Sequence, residues 1–434
     1  MRLFGRKKPE VVPPVEQPRP TLPPGPEVGD DGLRAVADHR NYLLSLVEPL
    51  HPFGMQLLDA LDLAICEDIS AGHPLPRATT AATDGYAVRA EDVETASHDE
   101  PVQLDVAEAD QVDGQVAAGV AVPINEHQVL PEGCDAVLPE PFTDSGEPVL
   151  RVLEKVRPAE YVHAAGTDVA DGQLLVASGQ KLDPRHVGLL AGNGIDKVLA
   201  RPRPRIVVLS TGRGLVEPGR SLPDHQHTHD ANGYMLAAAA KAEGCQVWRV
   251  GVVSSDPEEV RETITDQLIR ADLIISTGGY REGDGDLLSE VIPELGMTDF
   301  AEVAMHPGRQ QGFALIGEDK VPMVMLPGDP VGAFVSYQAI VVPIIRKLMG
   351  VEPVVKPPVR AITRSVLRSQ PGVFEFARGV LTTEHGTHFV ELAPGRDQAH
   401  LSDLARSNAL VLLDEVTEVA QAGSQVMCWP LDAD

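Results

Sequence analysis

Three short glycine turns are the features of this sequence that point most directly to chemistry. They are Ser210-Thr211-Gly212, Ser276-Thr277-Gly278-Gly279 and Leu326-Pro327-Gly328-Asp329, and each follows an apolar run typical of a buried strand. Glycine lets the backbone approach a ligand closely, and a helix that begins behind such a turn adds a partial positive charge. Strand-to-helix turns often need glycine for conformation alone. Three of them at one sheet edge nevertheless favour a binding site for a phosphate group.

Acidic residues also cluster in turns, at Asp84, Asp168, Asp256, Asp284 and Asp286. Carboxylates near a phosphate are useful when Mg²⁺ lies between them, because Mg²⁺ is commonly bound by one or two carboxylates and phosphate oxygens. Two positions have a structural alternative. Asp256 precedes Pro257, with Glu259 three residues on, which is typical of a helix N-cap, and we prefer that role. Asp84 precedes a glycine and is equally suited to a turn.

Histidines are a second kind of candidate. His225, His227 and His229 alternate in one polar segment. We interpret this segment as an exposed loop, because alternate loop positions do not fix the tetrahedral geometry of a metal site. His306, in the turn His306-Pro-Gly-Arg309, is predicted to face the cleft. The sequence has no convincing nucleophile elbow, dinucleotide-binding glycine motif or P-loop, since the Ser-Thr-Gly turns lack the P-loop lysine.

The elements that position the glycine turns are clearest between residues 204 and 350. Apolar patterning predicts, in chain order, strand 205–210, helix 232–243, strand 246–253, helix 257–270, strand 271–277, strand 323–326 and a long apolar helix that ends at residue 349. Strands that alternate with helices predict a parallel, doubly wound sheet, with ligands bound at the carboxyl ends of its strands.

The rest of the chain divides into further segments. Outside the α/β region, helices are predicted from Leu33 to Val47, over Leu57–Ile65 and over Arg185–Ala191. The chain is therefore expected to be a multi-domain α/β protein. The predicted domains are a disordered proline-rich tail (1–30), an elongated α/β N-terminal linker lobe in two segments (31–70 and 158–198), an inserted β-rich lobe (71–157), the doubly wound α/β domain (199–350) and a small C-terminal β-barrel (351–434).

Charge and composition exclude several classes of function. The 434 residues carry a formal net charge of −28, which argues against nucleic acid as a main partner, because a phosphate backbone selects clustered Lys and Arg. The four cysteines form no CxxC pair, so reduced thiols in the cytoplasm are expected. No apolar run is expected to reach membrane-spanning length, and no secretion signal follows the basic N-terminus.

The turns belong to a longer series of motifs. In chain order the motifs are Asp84-Gly-Tyr-Ala-Val-Arg89, Leu130-Pro-Glu-Gly-Cys-Asp-Ala-Val137, Gly166-Thr-Asp168, Leu209-Ser-Thr-Gly212, Asp230-Ala-Asn232, Ser276-Thr-Gly-Gly279 with Gly283 and Asp286, His306-Pro-Gly308, Leu326-Pro-Gly-Asp-Pro-Val331 and Ser407-Asn-Ala-Leu410. This series resembles the MoeA family, the molybdopterin molybdenumtransferases, which include the E domain of gephyrin. The resemblance covers roughly residues 33–430. No single motif is decisive, but the full series in this order is specific.

The resemblance implies a fold, a reaction and a set of site residues. It implies that the α/β domain is MogA-like, and that a homodimer forms an active site between that domain of one subunit and the β-rich lobe of the other. The implied reaction takes adenylylated molybdopterin and molybdate, inserts molybdenum into the dithiolene and releases AMP with the help of Mg²⁺. The implied catalytic residues are Asp84, Asp168 and Asp286, and the implied metal ligands are Asp256 and Asp286. The implied substrate-binding residues are Ser210, Thr211, Gly212, Asp256, Gly278, Gly279, His306, Arg309, Pro327, Gly328 and Pro330.

Several cleft positions depart from the usual family pattern. The departures are Asn125-Glu-His-Gln128 for Met-Thr-Gly-Ala, Gly166-Thr-Asp168 for Gly-Glu-Asp, Ser210-Thr-Gly-Arg-Gly-Leu215 for Ser-Thr-Gly-Asp-Glu-Leu, His306-Pro-Gly-Arg309 for Lys-Pro-Gly-Lys and Gly328-Asp329-Pro330 for Gly-Asn-Pro. An acidic pair is thereby replaced by Arg213 and Gly214, and Glu126 adds a bulky charge that Arg213 would neutralise if the two face each other. These changes predict lower activity than in a member with intact motifs.

Two other functions fit the same resemblance. One is a dimeric scaffold that binds a linear peptide of a partner protein near the C-terminal lobe, as gephyrin does. The other is a protein that binds the cofactor or its precursor without converting it.

Overall fold

The chain folds into two compact units. One consists of Met1–His51 together with Pro202–Asp434, and the other of Pro52–Arg201, so the chain passes from one unit to the other twice. The computed structural model describes residues 20–108, 114–253, 256–278, 287–393 and 400–431.

The first helix, α1 (Val36–Ser45), belongs to the first unit. Its buried residues Val36 and Leu43 join the main apolar core of that unit. Just before the helix, Arg34 donates to both carboxylate oxygens of Asp299, at 2.5 and 2.9 Å. The helix predicted from apolar periodicity in this region is confirmed.

The second unit, Pro52–Arg201, is built mainly from short strands. In chain order they are β1 (Phe53–Gln56), β2 (Ile69–Ser70), β3 (Thr80–Ala81), β4 (Gly85–Val88), β5 (Val102–Val106), β6 (Val120–Ile124), β7 (Ala136–Pro139), β8 (Val149–Val152), β9 (Val162–His163), β10 (Leu174–Val176) and β11 (Lys197–Ala200). Two 3-10 helices, Ala90–Val93 and Glu140–Phe142, lie between them. Helix α2 (Pro184–Gly192) begins at Asp183, whose carboxylate accepts from two backbone N–H groups of the first turn.

Strand pairing divides this unit into two parts. The antiparallel pairs β1–β11, β2–β10 and β3–β9 join the two ends of its sequence. The middle of the sequence forms a five-stranded sheet in the order β7-β4-β6-β5-β8. Each part has its own apolar core. The paired ends share a core that includes Met55 and Ala200, and the five-stranded sheet has a core that includes Tyr86 and Val156. The β-rich lobe is therefore an insertion, as the expected fold class requires.

The helix predicted over Leu57–Ile65 is wrong, because this segment forms turns. The backbone N–H groups of Leu57 and Ile65 donate to the carbonyls of Asp196 and Gln180. The segment therefore combines a few local turn hydrogen bonds with hydrogen bonds to a distant part of the chain. Tertiary pairing overrides the local apolar spacing here.

The α/β domain follows in the first unit. Its helices are α3 (Asn232–Ala242), α4 (Pro257–Leu268), α5 (Leu287–Leu295), α6 (Pro330–Ser336) and, after the π-helical turn Tyr337–Val341, α7 (Val342–Met349). Its strands are β12 (Arg205–Thr211), β13 (Leu215–Val216), β14 (Thr228–His229), β15 (Gln246–Val253), β16 (Leu273–Thr277), β17 (Gly296–Glu302), β18 (Met305–His306), β19 (Gln310–Ile316) and β20 (Val321–Leu326).

The main sheet of this domain has the strand order β15-β12-β16-β20-β19-β17. The first four strands are parallel, as predicted, and β19 pairs in the antiparallel direction with both β20 and β17. Ile206 and Val208 of β12 face one apolar core, whereas Val207 and Leu209 face the other. Both faces of the sheet are therefore covered, which is why the strands appear in the sequence as continuous apolar runs.

The helical stretch Pro330–Met349 is long and apolar. With 20 residues it is long enough, by length and composition, to cross a membrane, so the expectation that no apolar run reaches that length is wrong. However, 78% of its most apolar window is buried inside the protein, where Val335, Ile340 and Ile344 join the main core. This burial is typical of a core helix.

The C-terminal segment forms the predicted small barrel. Its elements are β21 (Val359–Thr363), β22 (Leu367–Arg368), β23 (Phe374–Glu384), β24 (Thr387–Leu392), α8 (Leu401–Arg406), β25 (Ala409–Leu413), β26 (Val419–Ala420) and β27 (Gln425–Pro430). Pairing runs β23-β24-β21-β27-β25, and β25 pairs back to β23, which closes a barrel of five strands. Closure leaves these five strands without a free edge.

Candidate functional site

The three glycine turns lie side by side. Strand β12 pairs with β16, and β16 with β20, all in parallel, so their carboxyl ends meet at one edge of the sheet. Across that edge the backbone N–H of Gly278 donates to the carbonyl of Leu326 at 3.2 Å. A Cβ at Gly328 would lie 3.5 Å from the Cα of Gly278, so these two turns are in contact. The prediction that the three turns share one edge is confirmed.

A cavity of about 460 Å³ lies at this edge. The turns contribute Thr211, Gly212, Thr277, Gly278, Gly328 and Pro330 to its lining. The short strands β13 and β14, the start of α3 and Leu401 on helix α8 complete it. The C-terminal barrel segment therefore contributes to the same cavity as the sheet.

Gly278 has a conformation and a position that only glycine tolerates. Its φ is +75°, and a Cβ there would lie 2.2 Å from the carbonyl oxygen of Thr211. Such a distance is far below van der Waals contact. The absence of a side chain lets the turns after β12 and β16 approach each other at the floor of the cavity.

Asn232, the first residue of α3, connects the turns through its side chain. Its Nδ2 donates to Thr277 Oγ1 and to the carbonyl of Gly328, both at 2.8 Å. The hydroxyl of Thr277 in turn donates to the carbonyl of Pro327 at 2.8 Å. One buried amide group therefore holds two turns in a fixed relation to the helix.

Asp230 is a cavity residue whose two carboxylate oxygens are both hydrogen-bonded inside the protein. Its Oδ1 accepts from the Ser210 hydroxyl at 3.0 Å and from the N–H of Gly233 at 2.9 Å. Its Oδ2 accepts from Arg249 Nη1 at 3.2 Å. A hydrogen bond to Glu217 raises the pKa of Arg249, and the Asp230 carboxylate adds to this effect. Arg249 is shared between Glu217 and Asp230, so the buried carboxylate is hydrogen-bonded on both oxygens but only partly neutralised.

The turn after β12 places one charged side chain at the cavity. Arg213 is exposed and lines the cavity. In the part of the chain that the structure describes, it forms no ion pair with a carboxylate. Gly214 follows with φ +81°, and a Cβ there would lie 2.9 Å from the carbonyl oxygen of Gln226. The turn therefore admits no side chain at position 214 without moving the backbone.

Comparisons with known proteins decide the family. Three family models match the chain: the MoeA N-terminal region (domains I and II) over residues 34–194, a probable molybdopterin-binding domain over 207–347 and the MoeA C-terminal region (domain IV) over 360–431. Molybdopterin molybdenumtransferase 1 of Mycobacterium tuberculosis is 34% identical over 418 residues, 91% of this chain and 98% of its own. The chain belongs to the MoeA family.

Other members of the MoeA family agree with this assignment. Molybdopterin molybdenumtransferase 2 of the same organism is 31% identical over 411 residues, 92% of this chain and 100% of its own. A crystal structure of the MoeA protein from Pyrococcus horikoshii is 25% identical, with a TM-score of 0.80, and covers 92% of this chain and 100% of that one. The predicted MoeA fold, with a MogA-like α/β domain, is thereby confirmed.

The MoeA resemblance also pointed to residues outside the cavity. His306 Nδ1 lies 3.2 Å from Glu375 Oε2, and Arg309 Nε donates to Glu302 Oε2 at 3.1 Å. Neither His306 nor Arg309 is among the described residues that line the cavity. Ser210 is buried behind the cavity, where its hydroxyl donates to Asp230. Its role here is to orient that carboxylate.

Asp256 lies at the start of α4, next to the carboxyl end of β15. Its Oδ1 accepts from the N–H groups of Glu258 and Glu259, at 2.9 and 3.3 Å. The preferred N-cap role is therefore confirmed. Gly279 and Asp286, the other MoeA positions expected at this edge, lie outside the described residues.

Asp84 and Asp168 belong to the second unit. Both are exposed, and Asp84 Oδ1 accepts from the backbone N–H of Glu126 at 2.8 Å, as expected for a turn residue. The carboxylate of Glu126 lies 3.6 Å from His127 Nε2. The N–H of Asp168 donates to the carbonyl of Leu75 at 3.0 Å, which leaves its carboxylate at the surface. The two acidic turns are thus available to solvent.

The segment with His225, His227 and His229 forms hydrogen bonds within itself. His227 Nδ1 lies 2.6 Å from Asp224 Oδ1, and His229 Nε2 lies 2.9 Å from the carbonyl of Arg220. Among the described residues, no group of three or more His, Cys, Asp or Glu side chains is arranged to hold a metal ion. The interpretation of this segment as a loop is confirmed for His225 and His227, whereas His229 lies in strand β14, which pairs with β13.

Proposed function

We propose that this protein catalyses molybdenum insertion in molybdenum cofactor biosynthesis. It takes molybdate and adenylylated molybdopterin, inserts molybdenum into the dithiolene and releases AMP. The observation that carries the proposal is the cavity formed by three glycine turns at the sheet edge, in a chain that belongs to the MoeA family along nearly its whole length. Both relatives from Mycobacterium tuberculosis are named molybdopterin molybdenumtransferases, and this chain matches nearly their full lengths. This match favours the enzyme over the peptide-binding scaffold.

The cavity suits the anionic groups of such a substrate. The N-terminus of helix α3 lies at the cavity, where it favours an anion, and Arg213 adds a positive charge. The carboxylate oxygens of Asp230 accept hydrogen bonds from Ser210, Gly233 and Arg249, so they do not face the substrate unpaired. Asn232 fixes the turns before the ligand arrives, so little ordering remains to be done on binding. Asp84, Asp168 and Asp286 are proposed to act on the phosphoanhydride, as the family resemblance implies.

Mg²⁺ enters the proposal together with the substrate phosphates. Such an ion keeps several water ligands and needs only one or two protein carboxylates. Asp256 and Asp286 are the proposed contributors. Asp256 Oδ1 accepts hydrogen bonds from two backbone N–H groups. Among the described residues, Asp256 belongs to no cluster of three or more His, Cys, Asp or Glu side chains. When bound, the ion would neutralise charge on the phosphoanhydride.

A homodimer in the cytoplasm completes the proposal. The dimer follows from the family resemblance, in which one subunit supplies the acidic turns and the other the cavity. The four cysteines are all free, which suits a reducing compartment.

Genetic rescue tests the proposal. The full chain is expressed in a strain that lacks its molybdenum insertase, and the activity of a molybdoenzyme is measured. We expect rescue, weaker than by a MoeA protein with intact cleft motifs, because Glu126 adds a bulky negative charge near an anionic substrate. Soluble, folded protein that gives no rescue would contradict the enzyme and support a peptide-binding scaffold. An Asn232→Ala variant, which loses the hydrogen bonds that hold the cavity turns, should not rescue.

A further inference from the structure

Arg213 gives the cavity a positive charge where the usual MoeA pattern has two carboxylates. We infer that Arg213 binds a tetrahedral oxyanion directly, so that this one contact needs no bridging metal ion. The inference rests on the proposed function and specifies how the substrate's oxyanion is held.

Among the described residues that line the cavity, one positively charged side chain is available to an anion. Among the described lining residues, the charged or titratable side chains are Arg213, His229 and Asp230. Asp230 is fully bonded to Ser210, Gly233 and Arg249, as described above. One ring nitrogen of His229 is held by the carbonyl of Arg220. Arg213 is thus the side chain left to meet an anion that enters.

The shape of the turn after β12 excludes a carboxylate at position 214. Gly214 has a positive φ, and Gln226 O occupies the space of any Cβ there, so a glutamate at 214 requires a different loop. Residue 213 is then the position of this turn whose side chain can reach the cavity. This turn therefore presents a guanidinium to an entering anion and no carboxylate.

The chemistry of the guanidinium defines the ligand class. Its planar fork of N–H donors matches two oxygens of a phosphate or a similar oxyanion, and its charge does not depend on pH in the ordinary range. A phosphoryl group of the nucleotide-bearing substrate and molybdate both have this chemistry. The cavity, at about 460 Å³, is larger than either anion alone, so it leaves room for an organic group attached to it.

The test measures anion binding to the full-length protein in the presence of EDTA. Inorganic phosphate, AMP and molybdate are titrated separately by calorimetry. We expect the wild-type protein to bind in EDTA and Arg213→Ala to weaken binding about tenfold, as for loss of a charge-assisted hydrogen bond. Arg213→Lys, which keeps the charge, should recover part of the loss. A loss confined to AMP assigns Arg213 to the phosphoryl group, and a loss confined to molybdate assigns it to that ion.

Arg220→Ala is the matched control. Arg220 is exposed, follows strand β13 and carries the same charge, but it is not among the described residues that line the cavity. Its loss should leave binding nearly unchanged. Equal weakening by both variants would show a general effect of net charge and would overturn the inference, as would wild-type binding that disappears in EDTA. Failed rescue with intact Arg213-dependent binding would instead sink the proposed function alone.

Discussion

At the scale of single residues, the cavity depends on side chains that the sequence does not single out. The glycine turns were recognisable because glycine directly after an apolar run is typical of the turn that ends a buried strand. Asn232 and Asp230 were visible only as part of a motif, because spacing along the chain does not reveal which side chain crosses between strands. The sequence signal that would have found them is a pair of polar residues immediately before an alanine-rich helix.

Asn232 is therefore the residue on which we test the construction of the cavity. Asn232→Ala removes two buried hydrogen bonds and leaves the carbonyl of Gly328 without its donor. We expect the free energy of unfolding to fall by about 1–3 kcal/mol. Urea unfolding of the full chain measures this change.

Asn125→Ala is the comparison variant, because Asn125 is an exposed asparagine in a loop. It should change the free energy of unfolding by less than about 0.5 kcal/mol. Equal midpoints for Asn232→Ala and the wild-type protein would mean that the amide does not hold the turns together.

At the scale of elements, strands buried on both faces were predicted well and isolated pairings were not. Strand β16 is flanked by β12 and β20, so its five residues are all buried and form one apolar run. The turns at 57–65 had a similar apolar content, but their partners lie more than 100 residues away in sequence. Antiparallel strands β17 and β19 were missed for the same reason, since their pairing depends on the completed sheet.

Helix α1 carries a buried histidine with a consequence for pH. His39 is 1% exposed, and burial, together with the nearby Arg34, lowers its pKa to about 4, whereas Asp299 opposes the shift. The unfolded chain, with a histidine pKa near 6.5, binds more protons between these two values. Stability is therefore fully present above about pH 6.5 and is lost as the pH falls towards 4.

The measurement is denaturant unfolding at pH 7 and pH 5. From pH 7 to pH 5, the wild-type protein should lose on the order of 1–2 kcal/mol more than a His39→Gln variant. His385→Gln, at an exposed histidine, should behave like the wild-type protein. An identical pH dependence for His39→Gln and wild type would assign the acid sensitivity to other groups.

At the scale of the whole molecule, the acidic turns and the cavity belong to different compact units. Asp84 and Asp168 lie in Pro52–Arg201, whereas the cavity lies in the other unit. A sequence cannot show how two such units are combined in an assembly. It did show which segments pair within each unit, because apolar runs and turn residues are local signals.

The proposed dimer leads to a complementation experiment. Light scattering should give twice the chain mass of 46.4 kDa. Asp84→Asn and Asn232→Ala should each abolish insertion, but a mixture that has exchanged subunits should recover about one quarter of wild-type activity, since half of the dimers contain one intact site.

A mixture of Asp84→Asn with Asp168→Asn is the control for subunit exchange. Both changes lie in the same unit, so no combination of these subunits restores a site. No recovery in the first mixture, with exchange shown by mass, would place all catalytic groups in one chain.

The contact between the turns at Gly278 and Gly328 links ligand binding to the assembly of the sheet. The cavity exists only when β12, β16 and β20 have paired, so no partly folded form that lacks these pairings can bind. Ligand binding then stabilises the native state alone. The free energy of unfolding increases with the logarithm of the ligand concentration once that concentration exceeds the dissociation constant. The substrate thus stabilises the folded α/β domain. A higher substrate concentration in the cell should therefore increase the fraction of the protein that is folded.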